Sequence, residues 1–404
     1  MSSSGRPTDG TSRVRVVGIG ADGSLAAPTL VAGASVVIGA ERHLALLPPV
    51  DGQRRLLYPR PLRDGLLALL AEHPEAVVLA SGDPLISGLG GTLIELLGAD
   101  RVEVHPVASS VTLARAAMGW PAESCAVVTV VGRNPATVLR ELAPDRRILV
   151  LSSDEHTPSA LARLLTEAGY GNARLTVLGN LGTADATRCE ASAEDFAESA
   201  PRLNIVAIEV LGLRSGLGWT AGLPDEAYEH DGQLTKRDLR ASALARLAPT
   251  PGEHLWDVGA GAGSVGIEWM RAHPSCRTTA IEADPKRAAR ISRNATSLGV
   301  PSLVVVNGRA PDSLTGLPRP DAIFIGGGAT RPGVLDTCLA ALSPGGRLVV
   351  HGVTLETEAL LAAAFQTYGG ELTRISVETT APVGTFTGWT PARAVTQWAY
   401  VVPR

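Results

Sequence analysis

Two groups of residues in this 404-residue chain have the types and spacing of ligand chemistry. The sharper is Trp256-Asp257-Val258-Gly259-Ala260-Gly261-Ala262-Gly263-Ser264-Val265-Gly266, three alternate glycines between an apolar run and a helical pattern. Glycine has no Cβ, so such a loop turns tightly and lets backbone come close to a ligand. The helix that follows should present unpaired N–H groups at the same place. Glu282 closes the next apolar run, and a carboxylate there suits the two hydroxyls of a ribose. Upstream, Gln233-Leu234-Thr235-Lys236-Arg237-Asp238-Leu239-Arg240 holds one of only two lysines in a basic cluster. On a helix, Lys236 and Arg240 share one face. The segment reads as a carboxylate clamp or a lid, with an ordinary solvated helical turn as the plain alternative. The bare loop Gly326-Gly327-Gly328 follows the apolar run 322–325 and gives a large flat ligand room beside the backbone.

The second group lies near the N-terminus. Gly18-Ile19-Gly20-Ala21-Asp22-Gly23 follows a β-rich run, and Glu41 follows the next one. That spacing fits a dinucleotide-binding oxidoreductase, but Pro28 and Gly33 leave little room for the long helix such a loop requires. Ala80-Ser81-Gly82-Asp83-Pro84 ends a third run in a turn, and His105-Pro106-Val107-Ala108-Ser109-Ser110-Val111 repeats the form.

The elements that must position these residues alternate. Strands are expected at 14–17, 35–38, 76–80, 102–107, 125–131, 147–151, 175–178 and 203–210, with helices between several of them, as at 62–72 and 158–168. After an aperiodic stretch, a second series runs 254–258, 278–282, 303–306, 322–325 and 347–351, with helices at 265–272, 285–298, 333–342 and 356–368. Two last strands, 372–379 and 395–401, come without a helix between them. Strands spaced by helices imply layered α/β domains with mostly buried strands. The expected organisation is a flexible tail (1–12), a first α/β domain (13–212), a linker (213–232) and a second α/β domain (233–404). The two halves share no fixed period, so they are unlike domains fused together.

These motifs carry resemblances. The 256–266 loop, Glu282, Asp321-Ala322-Ile323-Phe324-Ile325 and Leu342-Ser343-Pro344-Gly345-Gly346 occur in the order of class I S-adenosylmethionine-dependent methyltransferases. Members that methylate amines often carry an Asn-Pro-Pro-Tyr-like loop where this chain has three glycines, so methylation of carbon on a bulky ligand is expected. The Gly-Ile-Gly, Gly-Asp-Pro and Ser-Ser segments resemble the two-lobed tetrapyrrole methylase (class III) family. Val131-Gly132-Arg133 stands where that family has His-Gly-Arg, and Ala21-Asp22 where Pro-Gly is usual. A tetrapyrrole methylase domain followed by a Rossmann-like class I domain resembles the bifunctional precorrin-6Y methyltransferases of cobalamin synthesis. That resemblance covers nearly the whole chain.

The resemblance implies methylation of carbons 5 and 15 of a corrin precursor and decarboxylation of the acetate on carbon 12, the latter with one methylation in the second domain. It implies two S-adenosylmethionine sites. In the second domain the cofactor should meet Thr235, Gly259, Ala260, Gly261, Ala262, Gly263, Glu282, Arg309 and Ala310. In the first it should meet Gly18, Gly20, Gly82, Asp83, Ser109 and Ser110. Substrate should meet Lys236, Arg237, Arg240, Gly327 and Arg331, because arginine holds carboxylates through paired hydrogen bonds.

Composition narrows the rivals. A formal charge of −4 and 4% aromatic residues give no footprint for nucleic acid, which speaks against an RNA methyltransferase with an accessory domain. A scaffold with a dead cofactor fold sits badly with the intact glycine series and Glu282. Cys125, Cys189, Cys276 and Cys338 lie far apart, so no metal is expected and buried thiols in a reducing compartment are. No run of 18 apolar residues occurs, and 1–13 has no apolar signal core. A cytoplasmic homo-oligomeric enzyme that takes a small tetrapyrrole, with no nucleic acid or membrane partner, is expected.

Overall fold

Short runs of Val, Ile and Leu cannot cover themselves, and both halves of the chain bury them as central strands. The computed structural model describes residues 13–197, 199–211 and 217–404. The expected tail 1–12 and the start of the expected linker, 213–216, lie outside the described residues. The chain divides into two compact units, Met1–Arg133 with Asp145–Leu211, and Asn134–Pro144 with Gly212–Arg404.

The first unit holds two five-stranded sheets. In one, β1 (Val14–Ile19), β2 (Val36–Gly39), β3 (Arg54–Leu57), β4 (Val77–Ser81) and β5 (Val102–His105) run parallel in the order β3-β2-β4-β1-β5. Val16, Val17, Val37, Ile38, Val78 and Leu79 are wholly buried, as a sheet covered on both faces requires. The other sheet orders β6 (Cys125–Thr129), β7 (Arg147–Leu151), β8 (Arg174–Gly179), β9 (Thr187–Ser192) and β10 (Asn204–Glu209) as β6-β7-β10-β8-β9. Here β10 runs antiparallel to both of its neighbours. β3 and β9 were not expected. They are polar edge strands, which lack the apolar run of a central strand.

This order removes the dinucleotide reading. In a dinucleotide fold the acid after the second strand stands beside the loop after the first. Here β4 lies between β1 and β2, so Glu41 begins its helix two strand spacings, about 10 Å, from the Gly18 loop.

The second unit is built on a seven-stranded sheet. Its strands are β11 (His254–Val258), β12 (Arg277–Glu282), β13 (Val304–Asn307), β14 (Ala322–Ile325), β15 (Arg347–Gly352), β16 (Glu371–Ile375) and β19 (Val395–Val401), in the order β13-β12-β11-β14-β15-β19-β16. β19 runs antiparallel to both of its neighbours, β15 and β16. β17 (Glu378–Val383) and β18 (Phe386–Pro391) form a separate hairpin. The strand expected at 372–379 is therefore two strands that serve different sheets.

Two boundaries differ from expectation. Residues 222–231 are not a linker but part of the second unit. Gly222 N, Leu223 N and the Tyr228 hydroxyl donate to Glu268, and Glu229 N donates to Asn294 Oδ1. Asn134–Pro144 also belongs to this unit, although the chain around it belongs to the first. Its Arg140 backbone lies so close to Gly299 that a Cβ on the glycine would sit 2.2 Å from Arg140 N. Cys276 and Cys338 are buried as expected, whereas Cys125 and Cys189 are only half-buried. Among the described residues no helix is long and apolar enough to cross a membrane.

Candidate cofactor and substrate site

The parallel strands of the second unit end on one edge, where an open α/β sheet leaves a crevice beyond its carboxyl ends. A cavity of about 1100 Å³ occupies that edge. Its lining includes Gly259–Gly261 after β11, Glu282 at the end of β12, Arg309 and Ala310 after β13, and Gly326–Gly328 and Arg331 after β14. Thr235, Lys236 and Arg237 close it from the N-terminus of the helix Arg237–Leu247.

Glu282 is 6% exposed, and each of its oxygens already holds a backbone N–H: Gly261 N at 2.8 Å and Asp284 N at 2.9 Å. A carboxylate has about four acceptor positions, so one per oxygen remains for the hydroxyls of a diol. That donor set fits the ribose of a nucleoside cofactor. Ala310, 8% exposed, offers an apolar wall for a flat base.

The glycines serve differently from expectation. Gly259, Gly261 and Gly263 have φ of +68°, +58° and +78°, which favours glycine in itself. Added Cβ atoms would strike protein: Gly327 O at 2.7 Å from Gly259, Gln233 O at 2.8 Å from Gly261, and Ile291 at 2.7 Å from Gly263. The loop thus meets the cavity only through Gly259–Gly261. Ala262 is wholly buried and Gly263 packs under Ile291, so neither lines the cavity. The N–H groups expected to be unpaired are partly taken. Gly259 and Ala260 donate to Ile281 O, and Gly266 donates to Asp257 Oδ2 at 3.0 Å. Burial pushes the Asp257 carboxyl up to about 7, against the pull of that Gly266 N–H.

Arg240 is the main correction. Its side chain is fully buried, and its nitrogens bond Glu268 Oε1 at 2.5 Å, Asp225 Oδ1 at 3.3 Å, Thr235 O at 2.5 Å and Leu223 O. It cannot reach a substrate. It ties 222–235 to the helix Ser264–Ala272 and so fixes the wall that carries Thr235 and Lys236. Lys236 Nζ pairs with Asp225 at 3.3 Å while its side chain stays half exposed. Arg237 and Arg331 are exposed at the cavity.

In the first unit the three expected segments do converge. Gly82 N donates to Ile19 O at 2.9 Å, and Val107 N to Gly82 O at 3.2 Å. A Cβ on Gly18 would lie 2.2 Å from Gly82 O, and one on Gly82 2.8 Å from Ser109 Cα. Gly20 lies under Asp22 and Ser24. Asp83 Oδ1 accepts from Leu85 N at 2.9 Å, and Ser109 caps the helix Ser110–Met118 through Thr112 N at 3.1 Å. Ser110 is exposed.

Comparison with known proteins joins these two strand-end sites. Residues 13–197 match the Tetrapyrrole (Corrin/Porphyrin) Methylases family, and 226–402 match the Precorrin methyltransferase domain family. A relative from Sinorhizobium sp, named precorrin-6Y C(5,15)-methyltransferase (decarboxylating), is 44% identical over 95% of this chain and 95% of its own. The chain belongs to this family. It is an S-adenosylmethionine-dependent methyltransferase of two α/β domains. A relative of the same name from Mycobacterium tuberculosis (strain ATCC 25618 / H37Rv) is 43% identical over 95% of this chain and 98% of its own. A shorter match is the cobalt-precorrin-6B C(15)-methyltransferase (decarboxylating) of Salmonella typhimurium, 39% identical over 30% of this chain and 64% of its own.

Several lining residues stand in no sequence motif. Arg287 and Arg393 are cations on the cavity wall. His351, at the end of β15, is 9% exposed and bonds Gln397 Oε1 through Nε2 at 2.8 Å. Phe324 meets its ring edge-on, with centroids 5.0 Å apart. Only the strand-end position hinted at it.

Proposed function

We propose that this enzyme methylates precorrin-6Y at carbons 5 and 15 and releases the carboxyl group of its carbon-12 acetate as carbon dioxide. The observation that carries the reading is the pairing of the two matched families with 44% identity to a relative so named along almost the whole chain. One cofactor is held by each unit. In the second, Glu282 takes the ribose, Gly259–Gly261 and Thr235 flank the cofactor, and Ala310 and Arg309 border the base. In the first, the turns at Gly18–Gly20, Gly82–Asp83 and Ser109–Ser110 form the cleft.

The bound cofactor supplies an activated methyl group, so the protein's task is alignment and exclusion of water. The open Gly326–Gly328 loop admits a flat macrocycle close to the sheet edge. Lys236, Arg237, Arg331 and Arg393 around the cavity hold its carboxylates. Decarboxylation needs an electron sink, which the conjugated ring provides. We assign it, together with carbon-15 methylation, to the second unit; the name of the shorter Salmonella relative pairs the same two reactions, which supports keeping them together. The enzyme works as a cytoplasmic homo-oligomer on a small tetrapyrrole, and its charge of −4 supports no nucleic-acid partner.

Mass spectrometry of the tetrapyrrole after incubation with the whole chain and S-adenosylmethionine tests this. Two methyl gains and one loss of carbon dioxide are expected, and an unchanged tetrapyrrole overturns the reading. Gly261→Val, which strains a φ of +58° and drives the side chain at Gln233 O, should abolish carbon-15 methylation and slow decarboxylation. Carbon-5 methylation should survive in that variant.

A further inference from the structure

His351 stands apart from the other titratable groups of the cavity. Asp225 is committed to Lys236 and Arg240, and Glu282 to two backbone N–H groups. Glu226 and Asp238 are exposed carboxylates at the rim. The arginines do not deprotonate. Among the described residues, His351 is the only histidine in the lining. Its Nε2 is directed at Gln397 Oε1 on the adjacent strand, where the two residues are register partners. Nδ1 has no partner among the described residues, so it is the unbonded ring nitrogen of a side chain that lines the cavity.

The proposed reaction needs such an atom. When a ring carbon takes the methyl group, the methyl–sulfur bond of S-adenosylmethionine breaks and its electron pair stays on sulfur, leaving S-adenosylhomocysteine; the conjugated system gains positive charge and regains neutrality by releasing one proton. When the acetate loses carbon dioxide, its C–C bond breaks and the electron pair enters the ring. The pair returns to the exocyclic carbon, which takes up one proton and becomes a methyl group. One proton leaves and one is required.

Resting on the function proposed above, we propose that His351 Nδ1 accepts the proton released on methylation in the second unit and returns it to the carbon from which carbon dioxide departs. Gln397 is a positioning residue: by accepting from Nε2–H it fixes the tautomer that leaves Nδ1 unprotonated. Burial supports the role by holding the imidazole at about 4, so the ring is a neutral acceptor at neutral pH and gives its proton up readily once charged. Burial outweighs the opposing hydrogen bond to Gln397, and Arg246 lowers it further.

Two measurements on the whole chain test this. In His351→Ala, formation of the carbon-15-methylated, decarboxylated product should fall about a hundredfold or more, within the usual range for removing a general acid–base. Affinity for S-adenosylmethionine should stay unchanged, and added imidazole should restore part of the rate. If His351→Ala does not fold, His351→Asn is read in the same way. Turnover within about threefold of wild type, or a loss that imidazole does not rescue in a folded, cofactor-binding variant, overturns the proposal. A wild-type chain that leaves the tetrapyrrole unchanged instead overturns the function it rests on. The second measurement needs neither cofactor nor turnover. Nitrogen-15 NMR of the wild-type chain at neutral pH should show His351 protonated at Nε2 and bare at Nδ1, a preference lost in Gln397→Leu. Protonation at Nδ1 contradicts the assignment.

Discussion

Glycines close the strand ends of both units, but polar side chains divide differently around them. In the first unit Asp22, Asp83 and Ser109 turn their oxygens to neighbouring N–H or hydroxyl groups of their own turns. What these turns present is largely backbone, held by the contact of Gly18 with Gly82 and of Gly82 with Ser109. In the second unit Glu282 and His351 also make internal bonds, yet each still lines a large cavity. The wall opposite is held by a buried ion pair. The same glycine-rich signature therefore marks one site shaped by backbone packing and one equipped with side chains. Replacing site side chains should be felt most in the second unit, whereas added atoms should disturb the glycine turns of both.

The largest effect is expected from Arg240→Met. It leaves Glu268, whose side chain is 3% exposed, as a buried charge without its partner. Breaking such a pair costs about 3–5 kcal/mol, read as a shift of the denaturant midpoint. Cofactor affinity should fall as well, because 222–235 loses its anchor. Unchanged stability would mean that this wall stands without the ion pair.

The next effect is a pH dependence in the first unit. Burial, with help from Arg42, holds His43 at about 4, while its Nε2 bonds Ser81 Oγ at 3.0 Å. The unfolded chain binds this proton near 6.5 and the folded chain resists it. The contribution is thus present above about 6.5 and is lost as pH falls through about 4, amounting to ~3 kcal/mol. His43→Gln should lose correspondingly less stability on acidification. Asp257 in the second unit has the opposite sign. Its carboxyl is held protonated up to about 7, so it favours folding at low pH and that contribution is lost as pH rises from about 4 to about 7. Parallel pH–stability curves for wild type and His43→Gln would show that the buried histidine does not titrate as described.

A smaller loss is expected from Gly18→Ala, one carbon placed 2.2 Å from Gly82 O and 2.9 Å from Val107 N. Overpacking of this kind costs about 1–3 kcal/mol. It should weaken the cofactor site proposed for the first unit by moving all three turns, without changing the one proposed for the second. Undiminished stability would show that the turns yield easily and that backbone contact does not fix their arrangement.

These contrasts explain what could be read beforehand. Strands such as β11 and β14 were legible because buried parallel strands are continuous apolar runs. The Gly259 loop and Glu282 were legible because positive φ and a strand-end acid leave a local signature. β17 and β18 were not. They are mostly exposed, with Val383, Phe386 and Trp389 open to solvent, so burial imposed no pattern on them. Arg240 misled because its position beside Lys236 and Arg237 looks like a surface cluster, while Glu268, which buries it, lies 28 residues on. His351 is a single strand-end residue whose partner Gln397 lies 46 residues away, a relation no local spacing carries.

The central claim is that each unit holds one cofactor, the second through Glu282. Calorimetric titration of the whole chain with S-adenosylmethionine tests it most directly. Wild type should bind two molecules per chain. Glu282→Gln should keep one site unchanged and weaken the other about ten- to a hundredfold, the loss of roughly 1.5–3 kcal/mol in charge-assisted hydrogen bonding. A single site in wild type, or two undisturbed sites in Glu282→Gln, would contradict the account.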